Sequence, residues 1–345
     1  MPGVSVDLTW GIPRAAMDRE VDILARTHVR WVRMSMAWNG VERAGRGVYD
    51  QRFVSDMDYA LQRVREAGIE VVMPIADGVP YWASADPGKH VDGDGHPQWN
   101  RFWRPADFAD YGRFTAWVAR RYAPLGVHVF EIWNEPNYEH FWPSGPDPRA
   151  YVEMLRAAYP AVKQADPRAT VLLGGLYQNG AGFLEGVYRA GGGGSFDAVA
   201  THAYPGGAPT GCGPRSPLAS LCGIASVHGV MAAHGDGSRP VWLTEFGWST
   251  WDDGVSLDQQ AEFLSGAFGD IRSAFPYVPV AFAYNLRDNY WLGDDSGSQE
   301  GNYGLLRTDF RAKPGFGALA SAISGRSGMQ ELFDFVRNAV SPRAR

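Results

Sequence analysis

The sequence lacks both a long apolar run and a block of charge of one sign. No apolar segment approaches the roughly 20 residues that a helix needs to cross a membrane. Lysine and arginine number 32 against 38 aspartates and glutamates, and the net charge of −6 is spread over 345 residues. This pattern does not resemble the basic surface of a nucleic-acid-binding protein. We therefore expect a globular protein with neither a membrane span nor a nucleic-acid partner.

Cysteine is scarce and histidine is scattered. The only two cysteines, Cys212 and Cys222, fall in one predicted loop, and their spacing is not that of a metal site. We predict a local disulfide, which would fit an oxidising compartment, with two free thiols as the alternative. None of the eight histidines forms a His-x-His pair at a predicted strand end, which disfavours a metal-dependent hydrolase. No metal and no other cofactor is expected.

The beginning of the sequence bears on location. Gly3 to Asp7 already has the pattern of a first strand, and no leader peptide precedes it. A leader that has been removed would explain this start. We therefore expect a secreted or cell-envelope protein, with a cytoplasmic location as the alternative.

Aromatic residues are abundant. They make up 13% of the chain, with 13 tryptophans, and many fall in predicted loops instead of strands. Flat apolar rings outside a core suit the stacking of sugar faces. The alternative is packing beneath the loops.

A short apolar strand, a polar turn and an amphipathic helix recur along the chain, which predicts a parallel α/β sheet. The predicted strands are 4–8, 31–38, 70–76, 129–137, 171–176, 198–204, 241–246 and 280–286. Eight such units predict a (β/α)₈ TIM barrel, a single domain over residues 1–325. Residues 326–345 are expected to form a surface helix and a frayed tail. We expect a monomer.

Two strands of this barrel end in a glutamate. The stretch Val129 to Asn137, VFEIWNEPN, begins as a strand and stops at Pro136, which lacks a backbone donor and keeps the preceding residue from helical geometry. The stretch Val241 to Trp248, VWLTEFGW, has the same design. In a parallel barrel the strand ends are where chemistry is done. Two carboxylates on two strand ends are what glycosidic-bond hydrolysis requires.

Other polar residues fall near the ends of apolar strands: Arg33, Asn134 and His202. An unpaired charge there would be costly, so these residues must pair with each other or with a ligand. We expect Arg33 to hold the strand-seven carboxylate ionised. Glu131, deeper in strand four, is expected to be a buried partner for Arg33 or for another polar neighbour. The alternatives are a structural salt bridge for Arg33 and a satisfied core histidine for His202.

EIWNEPN together with WLTEFGW resembles the clan A glycoside hydrolases, which include cellulases, β-mannanases and β-xylosidases on a (β/α)₈ barrel. Within this clan, the details of the sequence are most similar to family 39, with family 5 close behind. The resemblance covers essentially the whole chain. It implies that Glu135 is the acid/base, that Glu245 is the nucleophile and that Asn134 binds the sugar 2-hydroxyl. Arg33 and His202 match the strand-two arginine and the strand-six histidine.

The chain departs from the clan at strand eight, where a tryptophan usually floors the subsite of the reacting sugar. Tyr284 or Trp291 is the candidate replacement, and the identity of the sugar depends on it. Trp38, Tyr204 and Trp248, at or near strand ends, complete the candidate sugar contacts.

The expected function is a retaining glycoside hydrolase that acts on a poly- or oligosaccharide with two glutamates about 5–5.5 Å apart. The chain is too short for the added β-domain of family 39 xylosidases, which favours an open cleft and endo action. A transglycosylase with the same residues is the alternative. A non-catalytic carbohydrate-binding barrel is a further alternative, although both glutamates are present.

Overall fold

Eight parallel strands close into one barrel in the computed structural model of the chain, which describes residues 1–8, 11–76, 78–86, 90–91, 97–98, 101–208, 220–289 and 298–324. The barrel strands are β1 Pro2–Ser5, β2 in two pieces Trp31–Arg33 and Met36–Ala37, β3 Glu70–Ala76, β4 Val129–Asn134, β5 Thr170–Leu176, β6 Ala198–Ala203, β7 Val241–Phe246 and β8 Ala281–Ala283. Each pairs in parallel with the next, and β8 pairs with β1, so the sheet has no edge. The predicted (β/α)₈ barrel is confirmed.

A helix follows each strand. The helices are α1 Arg14–Arg26, α2 Gln51–Glu66, α3 Phe108–Tyr122, α4 Pro148–Ala165, α5 Ala181–Arg189, α6 Gly223–Ala233, α7 Leu257–Ala274 and α8 Pro314–Ser324. Among the described residues, no helix combines the length and apolar character needed to span a membrane. The predicted surface helix and tail at 326–345 lie outside the described residues.

Local sequence signals set the helix ends. Asp50 accepts hydrogen bonds from the backbone of Arg52 and Phe53, which satisfies donors that the first turn of α2 leaves unpaired. Ser256 and Gln259 form a reciprocal capping box at the start of α7. Gly68, with a φ of 70°, ends α2 in the left-handed conformation that glycine adopts at least cost.

The apolar core has two parts. The larger part lies between the strands and the helices. The smaller part fills the inside of the barrel with the side chains of Val72, Val129, Leu172, Ala198, Ala200, Trp242, Val280 and Phe282. Nearer the carboxyl ends of the strands, beyond this apolar cluster, the side chains inside the barrel are polar.

Strands β2 and β8 depart most from the predicted ranges. β2 is interrupted, and Trp38 starts a one-turn helix, Trp38–Val41, where a continuous strand to Trp38 was predicted. Its indole donates to Glu42 at 2.7 Å, which draws the ring toward the helices. β8 covers only Ala281–Ala283, because its carboxyl end turns into the loop that carries Tyr284.

A candidate active site at the strand ends

The end of β4 is bent by two residues with left-handed backbones. Trp133 has a φ of 72° and Glu135 a φ of 45°, a conformation that is uncommon outside glycine. The Trp133 ring packs among the helices, against Tyr111 and Trp142. Asn134 and Glu135 consequently both line the cleft, which consecutive residues of a regular strand do not do.

On β7 a β-bulge brings the glutamate into the cleft. Leu243 pairs with Thr201 and Glu245 pairs with His202, so Thr244 is the extra residue on its strand. The bulge shifts the alternation of side chains by one position. Glu245 therefore points into the cleft, and Phe246 joins the outer core.

Arg33 links the acidic residues of the polar layer. Its guanidinium donates to both oxygens of Glu131 at 3.1 Å, to Asn134 Oδ1 at 2.9 Å and to Glu245 Oε1. All four side chains are buried, so these charges interact more strongly than they would in water. The predictions that Arg33 contacts Glu245 and that Glu131 is its buried partner are confirmed.

The two candidate catalytic carboxylates have different surroundings. Glu245 accepts hydrogen bonds from Arg33 and from the Tyr204 hydroxyl. Glu135 contacts His202 Nδ1 through Oε1 at 2.7 Å. Burial raises the pKa of Glu135, and the neighbouring His202 only partly offsets this rise. Glu135 is therefore the carboxyl that tends to keep its proton, whereas Glu245 is surrounded by donors that favour its ionised form.

The two carboxyl groups lie close together. One oxygen of Glu135 and one of Glu245 are within 4.8 Å of each other, and both carboxylates approach His202 Nδ1, at 2.7 and 3.4 Å. Inverting glycosidases separate their carboxyl groups by roughly 6.5–9.5 Å to admit a water molecule, and retaining enzymes by about 5–5.5 Å. The observed spacing fits the retaining arrangement.

The same three side chains, Glu135, His202 and Glu245, are close enough to hold a metal ion. However, both oxygens of Glu245 already accept hydrogen bonds, one from the Arg33 guanidinium. A cation bound there would lie beside that guanidinium and be repelled by it. The donor set fits a proton-transfer site better than a metal centre.

These residues lie in a cleft of about 1070 Å³ with an aromatic wall on either side. One wall consists of Tyr204, Tyr284 and Tyr303, whose ring centres are 5.4–6.2 Å apart. The Tyr284 hydroxyl donates to Glu300. The other wall lies on the Glu135 side and is formed by Phe102, Tyr138, His140, Phe141 and Tyr177.

Not every predicted sugar contact lies in the cleft. Arg33, Asn134, Tyr204 and Tyr284 line it, and buried His202 contacts Glu135 from beneath. Trp38 and Trp248 do not line the cleft, and their assignment as sugar contacts stays a prediction that this placement does not favour.

Trp38 is buried against Phe114 with ring centres 5.3 Å apart, because its helical turn directs the ring away from the strand ends. Trp248 is also buried, and its indole donates to the Gly207 carbonyl at 2.8 Å. Trp291 lies outside the described residues.

Sequence reasoning missed most of the aromatic cleft residues, and three of the missed positions are instructive. Tyr177 directly follows β5, and the strand-end rule that located Glu135 could have found it. Tyr138 comes directly after the Asn-Glu-Pro-Asn motif. Glu300 has no sequence signal, because it reaches the cleft from a loop far beyond β8.

Cys222 is disulfide-bonded. Pairing with Cys212 stays a prediction, since Cys212 lies outside the described residues.

The closed parallel barrel and the paired glutamates at two strand ends define a clan A glycoside hydrolase. The family model described as Cellulase (glycosyl hydrolase family 5) matches residues 1–268, so the chain belongs to this family. No curated protein sequence matches the chain significantly.

Solved structures share the barrel. A family 39 glycoside hydrolase from Bacteroides cellulosilyticus WH2 is 24% identical, with a TM-score of 0.71 over 94% of this chain and 63% of that one. A GH5_18 enzyme from Streptomyces cattleya, solved with GlcNAc, is 20% identical, with a TM-score of 0.71 over 94% of this chain and 79% of that one. A GH39 β-xylosidase from Caulobacter crescentus is 18% identical, with a TM-score of 0.66 over 93% of this chain and 70% of that one. The chain thus spans 63% of the Bacteroides enzyme. At these identities the likeness establishes the fold alone.

Proposed function

We propose that the protein is a retaining glycoside hydrolase in which Glu245 is the nucleophile and Glu135 the general acid and base. One observation carries the proposal. Two carboxyl oxygens lie within 4.8 Å of each other in opposite settings, Glu245 held by Arg33 and Tyr204, and Glu135 buried with a raised pKa. Two neighbouring carboxyl groups whose surroundings separate their pKa values are typical of an acid and nucleophile pair.

The first step forms a glycosyl-enzyme. An oxygen of Glu245 attacks the anomeric carbon, the bond from that carbon to the leaving oxygen breaks, and Glu135 gives its proton to the leaving oxygen. Arg33 and Tyr204 keep Glu245 ionised and fix its orientation for the attack. Asn134, which Arg33 holds at 2.9 Å, presents its amide to the sugar.

The second step reverses the roles. Glu135, now ionised, takes a proton from water while the water oxygen attacks the anomeric carbon and Glu245 departs as a carboxylate. His202 supports both states of Glu135, because a 2.7 Å contact between Nδ1 and a carboxyl oxygen requires one proton between them.

The finer features of the substrate are part of the same proposal. Relatives are described as a β-xylosidase and as GH5_18 enzymes solved with Manβ1-4GlcNAc, which favours a β-linked pyranoside. The cleft of about 1070 Å³ is larger than one sugar needs, in keeping with endo action on an oligo- or polysaccharide. The disulfide at Cys222 favours a secreted protein.

Azide rescue tests the two roles. With an activated aryl glycoside, Glu135→Ala should still form the glycosyl-enzyme, and azide should restore turnover and give a glycosyl azide of retained configuration. Glu245→Ala should be inactive, and any azide product should be inverted. General acid and base assistance is worth about 10²–10⁴-fold, so the losses are measurable.

Glu139→Ala, at an exposed glutamate that does not line the cleft, is the matched control and should behave as the wild type. An inverted azide product from Glu135→Ala would show that the two roles are exchanged. A wild type that cleaves no aryl glycoside or glycan would refute the function. An acceptor sugar added to the wild-type reaction separates hydrolysis from transglycosylation.

A further inference from the structure

The wall beside Glu135 is a continuous aromatic surface. The Phe102 ring centre lies 5.0 Å from that of His140 and 4.8 Å from that of Phe141. The Tyr138 ring centre lies 6.0 Å from that of His140 and 6.2 Å from that of Phe141. Tyr138 is 38% exposed, which is high for a large aromatic side chain. Aromatic rings exposed inside a cleft are available to a ligand.

Tyr138 rests on Tyr177. The two rings stack with centres 4.3 Å apart and planes inclined by 12°. One face of Tyr138 is therefore covered by Tyr177, which supports the ring. A ring that is already held in place loses little conformational entropy when a ligand stacks on it.

Asn137 fixes this pair to the barrel. Its amide nitrogen donates to the Tyr177 carbonyl at 2.9 Å, and its amide oxygen accepts from the Tyr177 backbone at 2.8 Å. Gly180 makes room for the amide, since a β-carbon at position 180 would lie 2.4 Å from Asn137 Nδ2. The loops after β4 and β5 are thus joined directly beneath the stacked rings.

The stacked rings lie on the leaving-group side of the cleft. The Tyr138 backbone donates to the Glu135 carbonyl at 2.9 Å, within the same turn. Tyr177 follows β5, the strand that pairs with β4. Burial raises the pKa of Tyr177, and the electrostatic effect of the nearby Tyr138 and Glu135 raises it further. If Glu135 protonates the leaving oxygen, the sugar attached to that oxygen extends from Glu135 toward these rings.

We propose that Tyr138, supported by Tyr177, is the platform on which the first aglycone sugar stacks. This inference rests on the proposed function and adds a specificity-determining residue to it. The ligand class is a pyranose whose equatorial hydroxyl groups leave an apolar C–H face. Such a face is complementary to an aromatic ring in the way that other apolar surfaces are.

A trapped glycosyl-enzyme isolates this side of the cleft. A 2-deoxy-2-fluoro aryl glycoside loads the glycone onto Glu245 and releases the aryl group, which empties the aglycone side. The ester is then broken by an oxygen of water or of an added acceptor sugar. In either case the proton goes to Glu135, Glu245 leaves as a carboxylate, and the recovery of activity is followed with time.

The measured quantity is a ratio of two reactivation rates. The first is the rate with an acceptor sugar present at a concentration below its KM, and the second is the rate with water alone. Both reactions use Glu135, so a displaced Glu135 slows both and leaves the ratio unchanged. Tyr138→Ala should lower the ratio about tenfold through a higher acceptor KM. Tyr138→Phe keeps the ring and should keep the ratio. Tyr81→Ala removes a tyrosine that is 55% exposed and does not line the cleft, and is the matched control.

Several outcomes would overturn the platform. An unchanged ratio in Tyr138→Ala would do so, as would an equal loss in Tyr138→Phe. Tyr138→Leu, which keeps an apolar side chain, serves in place of Tyr138→Ala if that variant does not fold. A wild type that forms no trapped intermediate with any 2-fluoro glycoside would instead refute the retaining function, and the platform with it.

Discussion

Gly175 on β5 faces the imidazole of His202 on β6 so closely that a β-carbon at position 175 would lie 2.0 Å from Nε2. Any residue with a β-carbon would displace the ring, so only glycine fits there. Because His202 contacts Glu135 through its other nitrogen, a backbone position on β5 controls the partner of the proposed acid.

We predict that Gly175→Ala lowers kcat/KM at least tenfold, because a displaced His202 no longer contacts Glu135. Since His202 lowers the pKa of Glu135, its displacement should raise that pKa and move the basic limb of the pH–rate profile to higher pH. The profile should be measured with an unactivated substrate, which depends on the acid. Gly182→Ala, at a helix position where a β-carbon meets nothing within 4 Å, is the control. A Gly175→Ala profile that overlays the wild type would contradict this role of Gly175.

Arg33 should matter for stability as well as activity. Arg33→Met leaves buried Glu131 and Glu245 without the guanidinium, and removal of one partner from a buried ion pair costs about 3–5 kcal/mol. The free energy of unfolding from urea titration should fall by this amount. Arg14→Met, which breaks a half-exposed pair with Asp56, should cost about 1 kcal/mol or less. Equal losses in the two variants would show that the buried network is not strongly coupled.

Tyr204 should act on the reaction through Glu245. Tyr204→Phe removes a hydrogen bond to a charged group, worth about 1.5–3 kcal/mol, so kcat/KM should fall about tenfold to a hundredfold. Tyr188→Phe is the control, because its hydroxyl donates to Asp236 at 2.8 Å away from the cleft. A loss confined to thermal stability would mean that the Tyr204 hydroxyl is structural only.

Glu20 should make stability depend on pH. Burial raises its pKa from 4.5 to about 7, and Arg287, which donates to it at 2.7 Å, offsets only part of this rise. Between these values the folded protein binds a proton that the unfolded chain has released. Stability due to Glu20 is therefore full below pH 4.5 and is lost as the pH rises to about 7.

Urea titrations of the wild type and Glu20→Gln at pH 4.5 and 7.5 isolate this effect. Between pH 4.5 and pH 7.5 the free energy of unfolding of the wild type should fall by about 3 kcal/mol relative to that of the variant. A difference that does not change with pH would mean that Glu20 is ionised beside Arg287 throughout.

Much of this arrangement could be predicted from the sequence. The alternation of apolar strands and amphipathic helices was enough for the barrel, and proline after Glu135 marked the end of β4. The contact between Arg33 and Glu245 followed from the cost of burying a charge without a partner. The end of β4 was readable from adjacent residues, the barrel from a pattern repeated along the chain, and the Arg33–Glu245 contact, which joins residues 212 positions apart, from burial of charge at strand ends that the barrel brings together.

The rest depended on geometry that is not local. Trp38 and Trp248 were assigned to the cleft because they follow strands, but the direction of a side chain after a strand depends on the next turn. Glu300 reaches the cleft from the segment between β8 and α8, and its Tyr284 partner lies 16 positions away in sequence. The left-handed backbone of Trp133 and the bulge at Thr244 have no sequence signature, although they decide which way Asn134 and Glu245 face.

These two irregularities bear on barrel design. An idealised barrel would thread the same residues through regular strands, and strict alternation would then turn Asn134 and Glu245 toward the helices. A designer who copied the eight strand sequences onto such a scaffold would reproduce the core and lose the constellation of polar groups. A designer who wants to transfer the site must therefore copy each strand end with its distortion and with the neighbouring strand that pairs with it. For the end of β4 that neighbour is β5, and for the end of β7 it is β6.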